Sequence, residues 1–365
     1  MADSKKYIGI YDTLEDVQDA LDNGQLSKPY VAKTMDNGQL DYNSLSPVDY
    51  SQYWCTYYPV DAKIWVQTSN SYYNRTEYTK GDGKISKADF PKFYLAGGKY
   101  STVEKFKYFQ FDSTSVNTDF REAWKDCSKL ASFPMIDTSS GTNFREAWYG
   151  CGKLTSFPAL DLHNGTDFYA AWKNCYKLTE FPAVDLSSGT NFEEAWMSCN
   201  SLTSFPALDF GNCTNFRYAW YECLSLTEFP LINTANGTDF NAAWSSCYKL
   251  TEFPQLDLSS GIDFSSAWSS CNALTSLPQL DLSKGTAFYS TWSSCSSLTT
   301  LGGFGAIKEN FDLSPCPNLT VESIMNVINQ AATVTGKTMT LGSTNLAKLS
   351  DEQKAVATSK GWTLA

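Results

Sequence analysis

The sequence is poor in the side chains and segments from which most active sites and membrane spans are built. Histidine occurs once, as His163, and charged residues make up only 18% of the 365 residues. There is no nucleotide-binding glycine loop, no apolar run near the roughly 18 residues of a membrane span, and no signal peptide or lipidation motif. Without a second histidine, no Ser/His/Asp or Cys/His set can be assembled away from His163. We therefore predict no catalytic residues, no cofactor, no metal site and no membrane insertion.

The composition is acidic and aromatic. The formal net charge is −11, and aromatic residues make up 15% of the chain. Nucleic acid and anionic membrane surfaces repel a negative protein, which argues against both as main partners. With so few charges, the surface must consist largely of hydroxyl, amide and tyrosine side chains. Such a surface suits contact with carbohydrate or protein.

One stretch of sequence recurs at a constant interval through the middle of the chain. Cysteine repeats in step with tryptophan, three residues after it, from Cys127 to Cys295. A fixed period of this size predicts a solenoid, in which each unit buries its apolar face against its neighbours. The interval is 24 residues, and the tryptophans are Trp124, Trp148, Trp172, Trp196, Trp220, Trp244, Trp268 and Trp292.

Within one unit, the apolar spacing predicts a short helix followed by an extended segment. Asn143 and Glu146 have the spacing of a capping box, and Pro158 must end the helix. The next residues should be extended, with Leu160 and Leu162 inward and Asp161 outward, before a glycine turn. The residues at helical spacing are Phe144, Ala147, Trp148, Cys151 and Leu154.

Stacked units of this kind should form a bent solenoid. Strands stack about 4.8 Å apart, whereas packed helices need roughly 8–10 Å, so the strands should lie on the inside and the helices outside. At the helix spacing, neighbouring cysteines are too far apart for disulfides, which need Cα atoms within about 7 Å. We therefore expect free, buried thiols. Cys213 replaces the turn glycine of its unit and is expected to be exposed.

The repeated element resembles the leucine-rich repeats of BspA-like surface proteins. The matching pattern reads Phe144-x-x-Ala147-Trp148-x-x-Cys151-x-x-Leu154-Thr-x-Phe157-Pro158-x-Leu160-Asp161-Leu162. The family usually has Met-Phe in place of Ala-Trp and lacks the proline. The resemblance implies an α/β, leucine-rich-repeat-like solenoid of eight 24-residue units, preceded by a small β-rich region and closed by a C-terminal cap. For function it implies only a generic binding or spacer surface.

The sequence divides into four regions. Residues 1–46 form a predicted N-terminal anchor module, 47–119 a β-rich neck, 120–301 the solenoid and 302–365 the C-terminal cap. In the cap, we predict a helix over 321–329, a short strand from Met339, a helix with Ser350 as its N-cap and an extended end. Lys28-Pro-Tyr-Val-Ala32 and Leu40-Asp-Tyr-Asn43 resemble the N-terminal segment of proteins of crAss-like phages of Bacteroides.

A column of aspartates at one repeat position is the first candidate binding site. It could form an acidic stripe that engages a cationic or hydroxyl-rich partner. Alternatively, each carboxylate accepts hydrogen bonds from the backbone of the adjacent turn. We favour the second interpretation, because an identical polar residue in every unit often serves the repeat itself. The column is Asp137, Asp161, Asp185, Asp209, Asp257 and Asp281, with Asn233 in the place of one aspartate.

Positions that vary from unit to unit are the second set of candidates. A solvated face without a ligand is at least as good an explanation for them. These residues are Arg121, Arg145, Tyr149, Tyr169, Tyr176, Tyr218, Tyr221 and Tyr248.

The resemblance of residues 1–46 to phage proteins, the lack of an export signal and the expected free thiols together favour a structural protein of a bacteriophage virion that assembles in the host cytoplasm. We expect a head fibre, or a tail fibre, in which the N-terminal module binds capsid or tail proteins. The solenoid would attach to host-surface glycan or protein, and the chain would form a homo-oligomer so that weak contacts add up. The alternative is a bacterial BspA-like cell-surface adhesin. A glycan-processing enzyme is disfavoured by the lack of acid/base residues.

Overall fold

The computed structural model describes residues 118–365 except Pro134, together with the backbone of five strands nearer the N-terminus. The rest of the predicted anchor module and neck lies outside the described residues. The first two strands pair antiparallel, and the next three form a second antiparallel sheet. The strands are β1 (Tyr30–Thr34), β2 (Leu40–Pro47), β3 (Cys55–Tyr58), β4 (Lys63–Gln67) and β5 (Arg75–Thr79).

In each repeat, the segment predicted to be helical is a run of tight turns. No helix occurs among the described residues of 118–301. At the start of the first repeat, the amide of Ala123 donates to the carbonyl of Phe120 at 3.2 Å. Glu122, which precedes the donor, has a φ of 54°, and a positive φ at the third residue is what a type II turn requires. The following turn is built in the same way.

These turns explain why the sequence indicated a helix. Successive turns of three to four residues bring side chains back to the same side at nearly the helical interval. The apolar residues therefore point inward, but without helical backbone bonds. Glu146, predicted to cap a helix, has a φ of 54° and pairs its carboxylate with Lys125 instead. The α/β assignment is thus wrong for the repeats, and the described helices are confined to the C-terminal segment.

Amides between the turns point along the stack and join neighbouring coils. The Phe120 amide donates to the carbonyl of Asn143 at 2.8 Å, and the Glu122 amide donates to that of Arg145 at 2.9 Å. Equivalent bonds recur one repeat further on. A left-handed conformation costs a non-glycine residue roughly 1–2 kcal/mol. The inter-coil bond that it makes possible offsets this cost in each repeat that is followed by another coil.

Equivalent rings of consecutive coils are separated by a similar distance in both segments of the repeat. Ring centroids of consecutive repeat tryptophans are 5.3–6.4 Å apart. In the extended segment of the repeat, ring centroids of the phenylalanines that precede the prolines are 5.7–6.1 Å apart from coil to coil. The 8–10 Å spacing expected of helices is absent from the described coils. The predicted mismatch, and with it the predicted cause of bending, is therefore wrong.

The core contains a single row of stacked, fully buried tryptophans, as predicted. All eight are 0% exposed, and consecutive indoles lie nearly parallel. The ring of Phe157 stands perpendicular to two of them, with centroids 4.8 Å from Trp148 and 5.5 Å from Trp172. Leu160 and Leu162 are buried and Asp161 is exposed, which confirms the predicted alternation. Since burying one large apolar side chain stabilises by about 1.5–3 kcal/mol, repetition makes the core the dominant stabilising term.

The turn glycine of each repeat is required by close packing. A Cβ at Gly165 would lie 2.2 Å from the ring of the following phenylalanine. Cys213 holds this position in its own repeat and is buried, so the predicted exposure is wrong. Phe210 lies between Phe192 and Phe216, at centroid distances of 4.9 and 5.8 Å. The inserted ring separates its neighbours and so leaves room for the larger residue.

The ten described cysteines are buried free thiols. From Cys151 onward, those of the repeats donate to the tryptophan carbonyl of the preceding coil, as Cys151 Sγ does to Trp124 at 3.3 Å. Burial raises the pKa of Cys199 to about 12, which leaves the thiolate scarce. The free state agrees with the prediction, but the predicted reason is wrong, because the coils stand closer together than helices would.

The C-terminal segment contains the described helices. The helix predicted over 321–329 is present, and Ser350 caps its helix through a capping box as expected. Two short strands in the last coils, β6 (Ser276–Leu277) and β7 (Thr300–Leu301), pair in parallel. The later strands form a parallel sheet in the order β10-β9-β8. The remaining elements are β8 (Phe311–Asp312), α1 (Val321–Gln330), β9 (Lys337–Thr340), α2 (Gly342–Leu346), α3 (Asp351–Ser359) and β10 (Trp362–Leu364).

Polar side chains of α1 take the place of a further coil at the end of the stack. The Ser323 hydroxyl accepts from the Leu301 amide at 3.0 Å and donates to the Thr299 carbonyl at 2.9 Å. Asn326 donates to the Leu301 carbonyl at 3.0 Å, and Gln330 donates to the Gly302 carbonyl and accepts from the Gly305 amide. An open edge with unpaired backbone groups would invite another chain, so the helix protects this end.

Candidate functional site

Two exposed faces carry the residues that the sequence singled out. The first is the aspartate column. The second is the outer turn face, which consists of the outward side chains of the turn segments that follow the first phenylalanine of each repeat. These segments are residues 121–128, 145–152, 169–176, 193–200, 217–224, 241–248, 265–272 and 289–296.

The aspartates of the column hold their own turns. Asp185 accepts from the Ser187 amide at 3.0 Å and from its hydroxyl at 2.7 Å. The hydroxyl, and then the amide, lower the pKa of Asp185 below its ordinary value. Every other member of the column accepts from the amide two residues later in the same way. This geometry agrees with the structural interpretation, and ligand binding by the column stays a prediction.

The single histidine belongs to one of these turns. His163 Nδ1 lies 2.5 Å from the carboxylate of Asp161, and its Nε2 lies 2.7 Å from the amide nitrogen of Asn164. Both ring nitrogens are thus occupied by side chains within two residues. A general base needs a free ring nitrogen within reach of its substrate, so the ring serves the turn.

Two candidate tyrosines in the first part of the outer turn face, Tyr149 and Tyr169, are covered by charged side chains. Lys125 and Lys173 lie 5.1 and 5.8 Å from the ring centre of Tyr149. Arg145 lies 3.7 Å from that of Tyr169. Such cation–π contacts use the ring faces that a ligand would need.

Three further candidates of this part also contact neighbouring side chains. Tyr218 and Tyr221 meet edge to face at 5.4 Å, and Arg217 lies 5.3 Å from the Tyr218 ring. Arg121 donates to the carboxylate of Asp119 at 2.8 Å. We call the five segments from 121–128 to 217–224 the closed half, because their long side chains contact one another.

An ion pair strengthens the closed half. Lys173 donates to the carboxylate of Glu194 in the next coil at 2.8 Å. Burial by itself would lower the pKa of Lys173, but the hydrogen bond and charge of Glu194 outweigh it and raise that pKa. Burial also raises the pKa of Tyr169, with the Glu194 charge adding to the effect. These side chains are therefore partly desolvated and committed to internal contacts.

The last three segments, 241–248, 265–272 and 289–296, form what we call the open half. They contain no Asp, Glu, Lys or Arg, whereas each segment of the closed half contains at least one. In the first two of these segments, backbone amides bond to the next coil, as in the 2.8 Å bond from the Ser246 amide to the Ser269 carbonyl. In the described chain, none of their serine hydroxyls has a protein partner. The serines are Ser245, Ser246, Ser265, Ser266, Ser269, Ser270, Ser290, Ser293, Ser294 and Ser296.

Exposed tyrosines stand at the margins of the open half. Tyr289 is 81% exposed and Tyr248 is 45% exposed. The sequence reasoning did not single out Tyr289. It holds the same repeat position as Tyr169, but Ser265 stands where Arg145 covers the earlier ring. Comparing neighbours one repeat apart was the signal that could have revealed it. Tyr176, at 46%, is the exposed ring of the closed half.

Two further absences concern the described residues alone. No group of three or more His, Cys, Asp or Glu side chains is placed to hold a metal ion. None of the helices is long and apolar enough to cross a membrane.

Comparisons with known proteins add little to this picture. No protein-family model and no curated protein matches the chain. Among solved structures, the chain is similar to a leucine-rich repeat protein from Bacteroides ovatus ATCC 8483. The match covers 74% of this chain and 86% of that one, at 14% identity and a TM-score of 0.28. A TM-score this low carries no argument, so the architecture rests on the bonds and rings described above.

Proposed function

We propose that this chain is a leucine-rich-repeat-like structural protein of a bacteriophage virion, which displays its stack of coils towards the host surface. A head fibre fits better than a tail fibre. Residues 1–46 would bind capsid or tail proteins, assembly would take place in the host cytoplasm, and the chain would act as a homo-oligomer. No catalytic step is assigned to it.

The observation that carries the proposal is the coil stack. Its backbone bonds and aromatic files run in one direction from coil to coil, so a rigid body supports an outer surface whose side chains change from repeat to repeat. A scaffold of this kind presents residues without moving them. The virion location is supported by the resemblance of Lys28-Pro-Tyr-Val-Ala32 and Leu40-Asp-Tyr-Asn43 to phage proteins.

Electron microscopy of purified particles tests the location. An antibody raised against residues 118–365 should label intact virions at a fixed site, and labelling at the capsid would separate a head fibre from a tail fibre. A chain absent from purified particles would overturn the proposal.

The alternative is a BspA-like adhesin of the bacterial cell, which the repeat motif favours. The same antibody would then label the surface of uninfected cells that express the chain. Labelling of cells without labelling of particles would replace the first proposal with this one.

A further inference from the structure

We propose that the open half of the outer turn face binds a neutral polysaccharide that runs along the stack. Tyr248 and Tyr289 would pack against sugar rings, while the serine hydroxyls between them bond to sugar hydroxyls. This inference rests on the proposed function and names the class of ligand that the displayed surface would take.

Charge points to a neutral ligand. The chain carries a net charge of −11, yet none of that charge lies in segments 241–248, 265–272 and 289–296. An acidic polymer would be repelled by the whole chain and would find no cation in this face. A cationic partner would find no carboxylate there either, while the aspartate column offers many. An uncharged, hydroxyl-rich ligand is the one for which this face leaves no charge unpaired.

The hydroxyls supply the polar contacts. Ser245 and Ser246 are only 5% and 8% exposed, but neither hydroxyl has a partner within the described residues. In segments 241–248 and 265–272, the outward backbone amides already bond to carbonyls of the next coil, as in the 2.7 Å bond from the Ser270 amide to the Ser293 carbonyl. The hydroxyls are therefore left to bond to solvent or to a ligand.

The tyrosines supply the apolar contacts. The C–H faces of a sugar pack on aromatic rings, and a tyrosine adds a hydroxyl at its tip. Tyr289 is the first residue of its segment and Tyr248 the last of a segment two coils earlier, so the rings mark opposite corners of the serine surface. Consecutive coils here are about as far apart as their indoles, 5.7 and 6.4 Å between centroids. A sugar unit in an extended chain advances by a similar distance.

Native gel electrophoresis of the full chain through gels containing a polysaccharide tests the inference. Dextran, yeast mannan and a soluble β-glucan are the neutral probes, and alginate is the acidic one. At least one neutral polysaccharide should retard the chain, and alginate should not. Tyr289→Ala and Tyr248→Ala should each weaken binding by about tenfold, which corresponds to ~1.4 kcal/mol.

Matched variants make the result specific. Tyr176→Ala removes a ring of nearly the same exposure from the closed half and should leave the retardation unchanged. Ser269→Glu adds a charge to the open half and should abolish the retardation without lowering the melting temperature.

Three outcomes would overturn the inference. They are an unretarded wild-type chain, an equal loss in Tyr176→Ala, and a dimer that the Tyr289→Ala and Tyr248→Ala variants dissociate in sedimentation experiments. The last outcome would identify this face as an interface between copies. A chain that is present in virions but is not retarded would remove the ligand and leave the proposed function standing.

Discussion

The closed and open halves of the outer turn face cover the same kind of core, but their outward side chains differ. Those of the closed half include charged residues, and those of the open half do not. Trp148 in the closed half and Trp268 in the open half are both 0% exposed within the same file. Above the first lie lysine, glutamate and tyrosine side chains that contact one another. Above the second lie serines whose hydroxyls have no protein partner in the described chain. The stack therefore keeps its interior constant and changes its surface.

The difference between the two halves shows that the fold constrains the backbone of the outer turns and not their side chains. Glu122, Ala170, Tyr218 and Ser266 hold one repeat position, and all have φ between 50° and 56°. Residues this different share a left-handed conformation because each amide bonds to the next coil. The backbone bond determines the conformation, and the side chain, which points outward, is free to vary. This freedom is what makes the face suitable for recognition.

Replacing a core tryptophan in each half should have the largest effect. We expect Trp148→Ala and Trp268→Ala to destabilise the chain by a similar amount, about 3–5 kcal/mol, because both leave a large cavity. Urea unfolding followed by circular dichroism measures both. A gap of more than about 1 kcal/mol between the two would mean that the halves differ in core as well as in surface.

The pair of core substitutions at Phe210 and Cys213 can be introduced into another repeat. Gly165→Cys should destabilise the chain by about 1–3 kcal/mol, since its Cβ would overlap the neighbouring ring. Adding Leu162→Phe reproduces the arrangement of Phe210 and Cys213, and the cost should then shrink. A double-mutant cycle from thermal melts should give a coupling of at least about 0.5 kcal/mol. Strict additivity would show that Phe210 does not make room for Cys213.

The difference in surface side chains between the two halves predicts a smaller effect on stability. Lys173→Ala removes the ion pair with Glu194 and the contact with Tyr149, and we expect a loss of about 1 kcal/mol. Ser269→Ala, at the same repeat position in the open half, should stay within about 0.5 kcal/mol of wild type. The gap should narrow in about 1 M salt, which screens the pair. Equal costs for the two variants would contradict the division into halves.

The smallest effect concerns a carboxylate beside the outer turn face. Burial, and then the nearby charge of Asp263, raise the pKa of Asp239. Ionised Asp239 therefore destabilises the fold above its ordinary pKa of about 3.9. Asp239→Asn should stabilise the chain at pH 7 by a few tenths of a kcal/mol, because solvent screens a half-buried group. The gain should vanish as the pH falls below about 3.9.

A reciprocal swap serves as the control. Asn191 holds the same repeat position, and its amide donates to Asp167 at 3.0 Å. Asn191→Asp should destabilise the chain at pH 7, since it replaces that bond with two facing carboxylates. Melting curves across pH 3–7 check both variants, and a gain from Asp239→Asn that is the same at pH 3 as at pH 7 would contradict the pKa argument.

The sequence predicted the stacking and its contents but not the backbone of the outer turns. The constant step of tryptophan and cysteine was enough to predict an interior file, and the alternation around Asp161 was enough to predict which leucines are buried. The helix was wrong because tight turns reproduce the 3.6-residue interval that Phe144, Ala147 and Trp148 follow. Only the sign of φ at Glu146 distinguishes the two, and side-chain spacing carries no information about it.

The site was partly accessible from the sequence. The aspartate column was identified along with its structural role, since an Asp followed by a small residue readily accepts from the amide two residues later. The sequence of a single repeat could not show which tyrosines are exposed. Tyr169 and Tyr289 share a repeat position, and only the coil beside each decides whether an arginine covers the ring.

By itself the sequence determined the period, the row of apolar core residues and the lack of charge in the last three outer turn segments, because these follow from residue type and spacing. Only the tertiary structure decided that the coils are joined through turn amides at one short interval, and which rings are covered by neighbours. The reason is that both properties depend on residues one repeat apart, whose contacts arise only when the coils are stacked.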